Sequence, residues 1–263
     1  MWWDSFTFPE GQWYCWSLSG AEIFICRKDR NWQSFHKSIR WDKRGFSCTG
    51  PVEATPDYRG NVRTNIINRK TAALWPYLPK KPFLLNLSGL KIFPGMKITL
   101  DLVLPPLLRL VAKKSKGDPD LIFDFNLFEL KESWYGKTPI EGIVCSLLPF
   151  NAHGKTCEIE TDSPGDDPTP GRIGVNCSMQ VCNKTKTVLE LDNIPFYANE
   201  LNVYEKDGKL TCDTPVVDAL ENGFHMTVIP AKSEYGNLLT HGYKHESGFI
   251  HQGTWFIKNI TGL

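Results

Sequence analysis

Between residues 171 and 212 the chain reads GRIGVNCSMQVCNKTKTVLELDNIPFYANELNVYEKDGKLTC, and its apolar positions keep a period of two. Ile173, Val175, Cys177, Met179 and Val181 alternate with Gly174, Asn176, Ser178 and Gln180. Successive side chains of a strand point to opposite faces, so this pattern predicts a strand with one buried and one wet face. Asn183-Lys184-Thr185 supplies turn chemistry, after which Val188, Leu189 and Leu191 resume an apolar strand. Asp207-Gly208 is a two-residue hairpin signal, because both loop positions of a type I′ turn need a positive φ. Pairing Lys206 with Lys209 sets Val203 opposite Cys212 on one face, and Leu201 continues the inner layer. The stretch predicts a β-meander in a sandwich core.

The same alternation recurs along the chain. Glu22 to Arg27 reads as a strand entered through Ser19-Gly20, and Phe83–Leu87 and Met96–Leu100 flank the turn dipeptide Pro94-Gly95. Leu121–Phe128, Gly142–Leu148, Phe224–Val228 and Thr254–Ile257 add further strands. Glu158 to Arg172, EIETDSPGDDPTPGR, is acidic, rich in Pro and Gly, and reads as a linker. The expected fold is all-β, with two packed antiparallel β-sandwich (Ig-like) units and little helix. An aromatic-rich unit is expected over 1–160, and a second unit with a His-rich tail over 161–263.

Composition narrows the function classes. Net charge is +1, which provides no global field for nucleic acid or an anionic membrane. The balance is uneven: 13 Lys/Arg stand against 7 Asp/Glu in residues 1–81, and 17 against 22 in the remainder. The basic stretch 46–80 lacks the interleaved aromatics of a nucleic-acid platform, so no nucleic-acid partner is expected. The best apolar window, Leu100 to Ala112, is broken by Asp101, Pro105-Pro106 and Arg109, so no transmembrane segment is expected either. The 8 cysteines show no CxxC, and the N-terminus is no signal peptide. These features predict a cytoplasmic protein with reduced thiols, in which the sequons at Asn86, Asn176, Asn183 and Asn259 have no role.

No P-loop, GxGxxG, GxSxG or HExxH motif is present. His241, His245 and His251, with Glu246 and His225, are the sharpest candidates for a metal. An i, i+4 His pair converges only on a helix, however, and Gly242, Tyr243, Ser247 and Gly248 argue against one. No metal and no cofactor are therefore expected. Cys145 with His153 could pair as nucleophile and base, but nothing positions an orienting carboxylate beside them. The aromatics Trp2, Trp3, Phe6, Phe8, Trp13, Tyr14 and Trp16 crowd a terminus that is ordinarily polar and frayed. Such residues anchor interfaces, and they mark this terminus as the expected surface for a protein partner.

The run KESWYGKTPIEGIVCSLL resembles the archaeal and bacterial family known as domain of unknown function 432. So do GRIGVNCSMQVCNKTKTVLELDNIPF, ELNVYEKDGKL and the earlier LPKKPFLLNLSGLKIFPGMKITLDLVLPP. The likeness covers residues 14–232, with Trp134-Tyr135-Gly136 followed by Gly142 as its most specific element. The family brings no catalytic residues to carry over. Its members are encoded near small-conductance mechanosensitive channels, so the resemblance implies an accessory protein of a membrane channel. The leading expectation is a non-enzymatic interaction protein, an accessory subunit held peripherally at the inner membrane through its partner. The alternative is a small-molecule or carbohydrate-binding enzyme with loop-borne catalytic residues.

Overall fold

A computed structural model describes residues 1–18, 21–36, 46–56, 61–78, 83–104, 106–114, 117–125, 131–135, 138–147, 172–231 and 236–242. The first strands are β1 (Phe6–Thr7), β2 (Trp13–Leu18), β3 (Ala21–Lys28), β4 (Asn31–His36), β5 (Phe46–Glu53), β6 (Arg63–Ile66) and β7 (Thr71–Tyr77). They are followed by β8 (Phe83–Ile92), β9 (Lys97–Leu104), β10 (Leu107–Ala112), β11 (Asp120–Phe125), β12 (Lys131–Tyr135), β13 (Thr138–Leu147) and β14 (Arg172–Ile173). The last are β15 (Val175–Asn183), β16 (Leu189–Phe196), β17 (Val203–Lys206), β18 (Lys209–Cys212), β19 (Thr214–Leu220), β20 (Gly223–Ile229) and β21 (Asn237–Thr240). The fold is all-β, and no helix occurs among the described residues.

The strands fall into two compact units that interleave along the chain. One holds β1–β7, β10, β11 and β14, and the other holds the remaining strands. A cut at 160/161 therefore does not separate them. Segment 83–104 lies in the first half of the sequence, yet β8 pairs with β16 and β9 runs antiparallel to β15 over eight residues. Backbone ladders, not chain order, decide which unit a strand joins. The alternation from Ile173 to Val181 is likewise divided. Ile173 pairs with Phe46 in the first unit, whereas Val175 pairs with Leu104 in the second. Gly174 makes the passage, and a Cβ there would lie 2.0 Å from Val103 Cγ1.

In the first unit a six-stranded sheet, β14-β5-β2-β3-β4-β6, accompanies a four-stranded one, β1-β7-β10-β11. The register of β2, β3 and β4 sorts their side chains onto two faces. Tyr14, Trp16, Ile23, Ile25 and Trp32 share one face, while Cys15, Phe24 and Phe35 share the other and pack with Trp13 and Ala54. Both faces are buried, which explains why Ile23 to Cys26 is apolar without interruption. Trp16 and Trp32 are fully enclosed. Each indole N–H still finds an acceptor, Trp2 O for Trp16 and Ile67 O for Trp32, both at 3.1 Å. Between Cys15 and Ser17 the β2–β5 register slips by one residue. Gly50 allows this with φ +119, since a Cβ would lie 2.6 Å from Cys15 O.

The described strands of the second unit form one network of eleven, ordered β16-β8-β13-β9-β15-β18-β17-β21 with β12, β19 and β20 branching from it. β15 organises it. Val175, Cys177, Met179 and Val181 are buried, while Asn176 and Ser178 are exposed, as the alternation predicts. The Asp207-Gly208 hairpin also forms, with φ of 52° and 78° and Val203 opposite Cys212. The predicted meander does not. β15 and β16 are not neighbours, and β15 pairs in parallel with both β18 and β19, so the sheet is mixed. Asp213, buried beside the hairpin, holds this corner together. Its carboxylate accepts from Asn202 N and Nδ2, Tyr204 Oη and Ala231 N at 2.7–2.9 Å.

Candidate functional site

The aromatic N-terminus is interior to its own unit. Trp2, Trp3, Phe8, Tyr14 and Trp16 are buried, and Phe6 and Trp13 are half-buried. Most of the rings on which a partner surface is expected are thus packed within the chain. Phe8 meets Trp32 edge-on at 5.0 Å and Tyr14 at 5.5 Å, Phe6 lies 4.7 Å from Tyr14, and Trp13 lies 5.4 Å from Phe35. The terminus is tied down because Phe6-Thr7 pairs with β7 and Phe8 N–H donates to Lys70 O.

His241 is exposed next to the end of β21, and His225 is half-buried on β20. His245, His251 and His153 lie outside the described residues, as does the side chain of Cys145. Among the described residues no three His, Cys, Asp or Glu gather to hold a metal ion. The first unit carries one dense charged cluster. The Arg109 guanidinium sits 3.6 Å over the Tyr77 ring and 3.4 Å from the Asp124 carboxylate, which faces it across the β10–β11 pair. Burial, reinforced by Asp124, pushes the Tyr77 phenol up to about 12. Arg63 donates to Asp124 O at 2.8 Å and lies over Phe125, and burial followed by Arg63 lowers His36. The Arg63 hydrogen bond ties β6 to β11.

The other notable surface lies at one end of the second unit, where three turns meet. β8 ends at Ile92 and β9 begins at Lys97, with Phe93-Pro94-Gly95-Met96 between them and Met96 N–H closing onto Phe93 O. The last ladder pairs are Leu189↔Ile92, Cys182↔Lys97 and Asn183↔Ala219. Phe93, Met96 and Val188 each stand one residue beyond a paired position, and Leu220 ends β19, paired with Gly223. They are 58, 52, 47 and 38 % exposed, whereas apolar side chains one turn further in, such as Ile92, Val181 and Ala219, are buried.

Asn183 binds these turns into one piece. Its backbone accepts from Gly95 N and donates to Met96 O. Its buried amide donates to Ile92 O and Thr187 O, both at 2.8 Å, and its Oδ1 accepts from Thr185 N and Oγ1. Because Nδ2 is committed to two carbonyls inside the protein, this sequon serves structure. Lys184 N–H donates to Ala219 O, and Glu221 Oε1 accepts from Lys186 N. Lys91 pairs with Glu190 and Lys184 with Asp218. Among the described residues Lys97 and Lys186 have no ion-pair partner. This end therefore displays exposed apolar side chains on hydrogen-bonded turns, with Lys97 and Lys186 close to them in the chain.

Sequence reasoning assigned Pro94-Gly95 and Asn183-Thr185 to turns without asking what those turns display. The available signal was local: Phe93 and Met96 flank a turn dipeptide, and Val188 follows NKTKT, where turns ordinarily carry polar residues.

Comparison with known proteins gives the family. The model for the family described as "Protein of unknown function (DUF432)" matches residues 2–241, nearly the whole chain, and the chain belongs to that family. No curated protein and no solved structure matches it significantly. Among the described residues no helix is long and apolar enough to cross a membrane.

Proposed function

From this family membership and the geometry of the three-turn end, we propose that the protein is a non-enzymatic interaction protein whose docking surface is that end. It works as an accessory subunit of a membrane protein, and the family likeness makes a small-conductance mechanosensitive channel the first candidate. The observation that carries the docking surface is the exposure of Phe93, Met96 and Val188 on turns that Asn183 hydrogen-bonds together, with Leu220 exposed at the end of β19. Isolated exposed apolar residues need no explanation, but several at one end of a unit, on segments hydrogen-bonded to one another, mark a surface that something covers. Full burial of such a side chain is favourable by about 1.5–3 kcal/mol, so four of them can drive association even after the ordering costs of binding. Those costs are reduced here, because the turns are already fixed by hydrogen bonds.

Sedimentation of the full chain with native membrane vesicles tests this reading. Wild type is expected to pellet with the vesicles, and Phe93→Ser/Met96→Ser to lose about tenfold or more in affinity, as removal of two interface anchors predicts. Ile66→Ser, which alters the most exposed apolar residue of the first unit, is the control and should bind like wild type. Equal binding by all three proteins would overturn the assignment.

A further inference from the structure

We infer that the three-turn end binds the anionic lipid surface of the membrane directly. The inference rests on the docking reading above and names what that surface meets. Three features of the site fit a lipid surface. First, Phe93, Met96 and Val188 lie just past the ends of their ladders, and Leu220 is exposed at the last position of β19. Projecting side chains suit insertion among headgroups and the first acyl carbons, where aromatic and apolar residues at an interface gain most. Second, lysines stand close in the chain to the exposed apolar residues. Lys97 follows Met96 directly, and Lys186 lies two residues before Val188, so an ammonium group accompanies the apolar residues on two of the three turns.

Two of the three acidic groups named at this end are ion-paired, and Glu221 keeps its charge, one acid against two lysines without an ion pair among the described residues. Glu190 pairs with Lys91, Asp218 pairs with Lys184, and Glu221 accepts from the Lys186 backbone. That leaves Lys97 and Lys186 as the cations available to phosphate, and long lysine stems can lie along an apolar surface while their heads stay at the headgroup layer. Third, the turns are preorganised. The Asn183 amide, the Met96 N–H and the Lys184 N–H all satisfy carbonyls inside the end itself, so inserting the apolar tips strands no backbone donor among them.

Charge and burial predict different variants. Each lysine near an anionic surface strengthens attachment several-fold and loses that effect in salt, while the apolar tips act at any ionic strength.

The test uses the full chain with protein-free vesicles of phosphatidylcholine alone, and of phosphatidylcholine with about one-third phosphatidylglycerol, an anionic content at which basic residues near the surface add to binding. Wild type is expected to float with the anionic vesicles about tenfold more than with neutral ones, and high salt should remove most of that difference. Lys97→Gln/Lys186→Gln should lose the anionic preference, and Phe93→Ser/Met96→Ser should lose binding to both vesicle types. Unchanged melting temperatures would show that both variants remain folded. If wild type binds native membranes but neither kind of protein-free vesicle, the lipid inference falls, and the docking surface belongs to a protein partner. If Phe93→Ser/Met96→Ser binds native membranes like wild type, the docking reading itself fails.

Discussion

Deleting residues 1–8 should abolish stable folding of the first unit. The segment contributes Trp2, Trp3 and Phe8 to the core, together with the strand Phe6-Thr7 that edges the four-stranded sheet. Truncating a single buried Phe or Trp costs about 3–5 kcal/mol, and the whole of a typical domain's stability is about 5–15 kcal/mol. The loss is compounded by what remains. Trp16 Nε1 would lose its acceptor, Trp2 O, inside a fully enclosed site, and the cavity left by Phe8 would open between Tyr14 and Trp32. Phe8→Ala is the milder form of the same experiment, with an expected cost of about 3–5 kcal/mol. Thermal and urea melts followed by tryptophan fluorescence measure both. An unchanged melting temperature for the deletion would mean that these rings are dispensable to the core, and the terminus would again be a surface in search of a partner.

Asn183→Asp should be nearly as damaging, although it changes a single atom. In wild type, Nδ2 donates to Ile92 O and Thr187 O from a position that is 1 % exposed. The substitution sets an oxygen against two carbonyl oxygens and adds a buried charge, so a loss of about 3 kcal/mol or more is expected. The pH dependence has a definite sign. A carboxyl in that site is harder to ionise folded than unfolded, so its folded pKa lies above the unfolded value of about 3.9. The penalty is smallest below that unfolded value, where the neutral acid can still donate one hydrogen bond, and it grows as pH rises through it. Urea titrations at pH 7 and pH 3.5, each compared with wild type, check this. Equal midpoints for variant and wild type at pH 7 would remove Asn183 from its organising role. Loss of that role should also loosen Phe93-Met96, because Gly95 N and Met96 O are held by the Asn183 backbone.

The all-β class was legible because period-two alternation is local: Val175 to Val181 and the Asp207-Gly208 turn needed only their own neighbours to be read. What could not be read was pairing across distance. Nothing in β15 announces that it will accept β9 on one side and parallel β18 and β19 on the other, since a ladder is made by backbone groups that every sequence shares. The interleaving of the two units follows from that, and so does the break at Gly174 within an unbroken alternation. The aromatic terminus was ambiguous for a related reason. Tryptophans serve interfaces and cores equally well, and only the positions of Tyr14, Trp16 and Trp32 on one sheet face decide for the core. The candidate docking end was missed because its four apolar residues are scattered from 93 to 220 and meet only once the ladders form.

Which surface is covered when the protein is mixed with membranes is the most direct question to put to this account. Amide hydrogen exchange, followed by mass spectrometry with and without native membrane vesicles, answers it segment by segment. Slowed exchange should be confined to peptides covering 93–97, 184–188 and 220–222, with the peptides covering 2–16 unchanged because their rings are already buried. Slowed exchange in 2–16, with none at the three turns, would contradict the assignment of the docking surface.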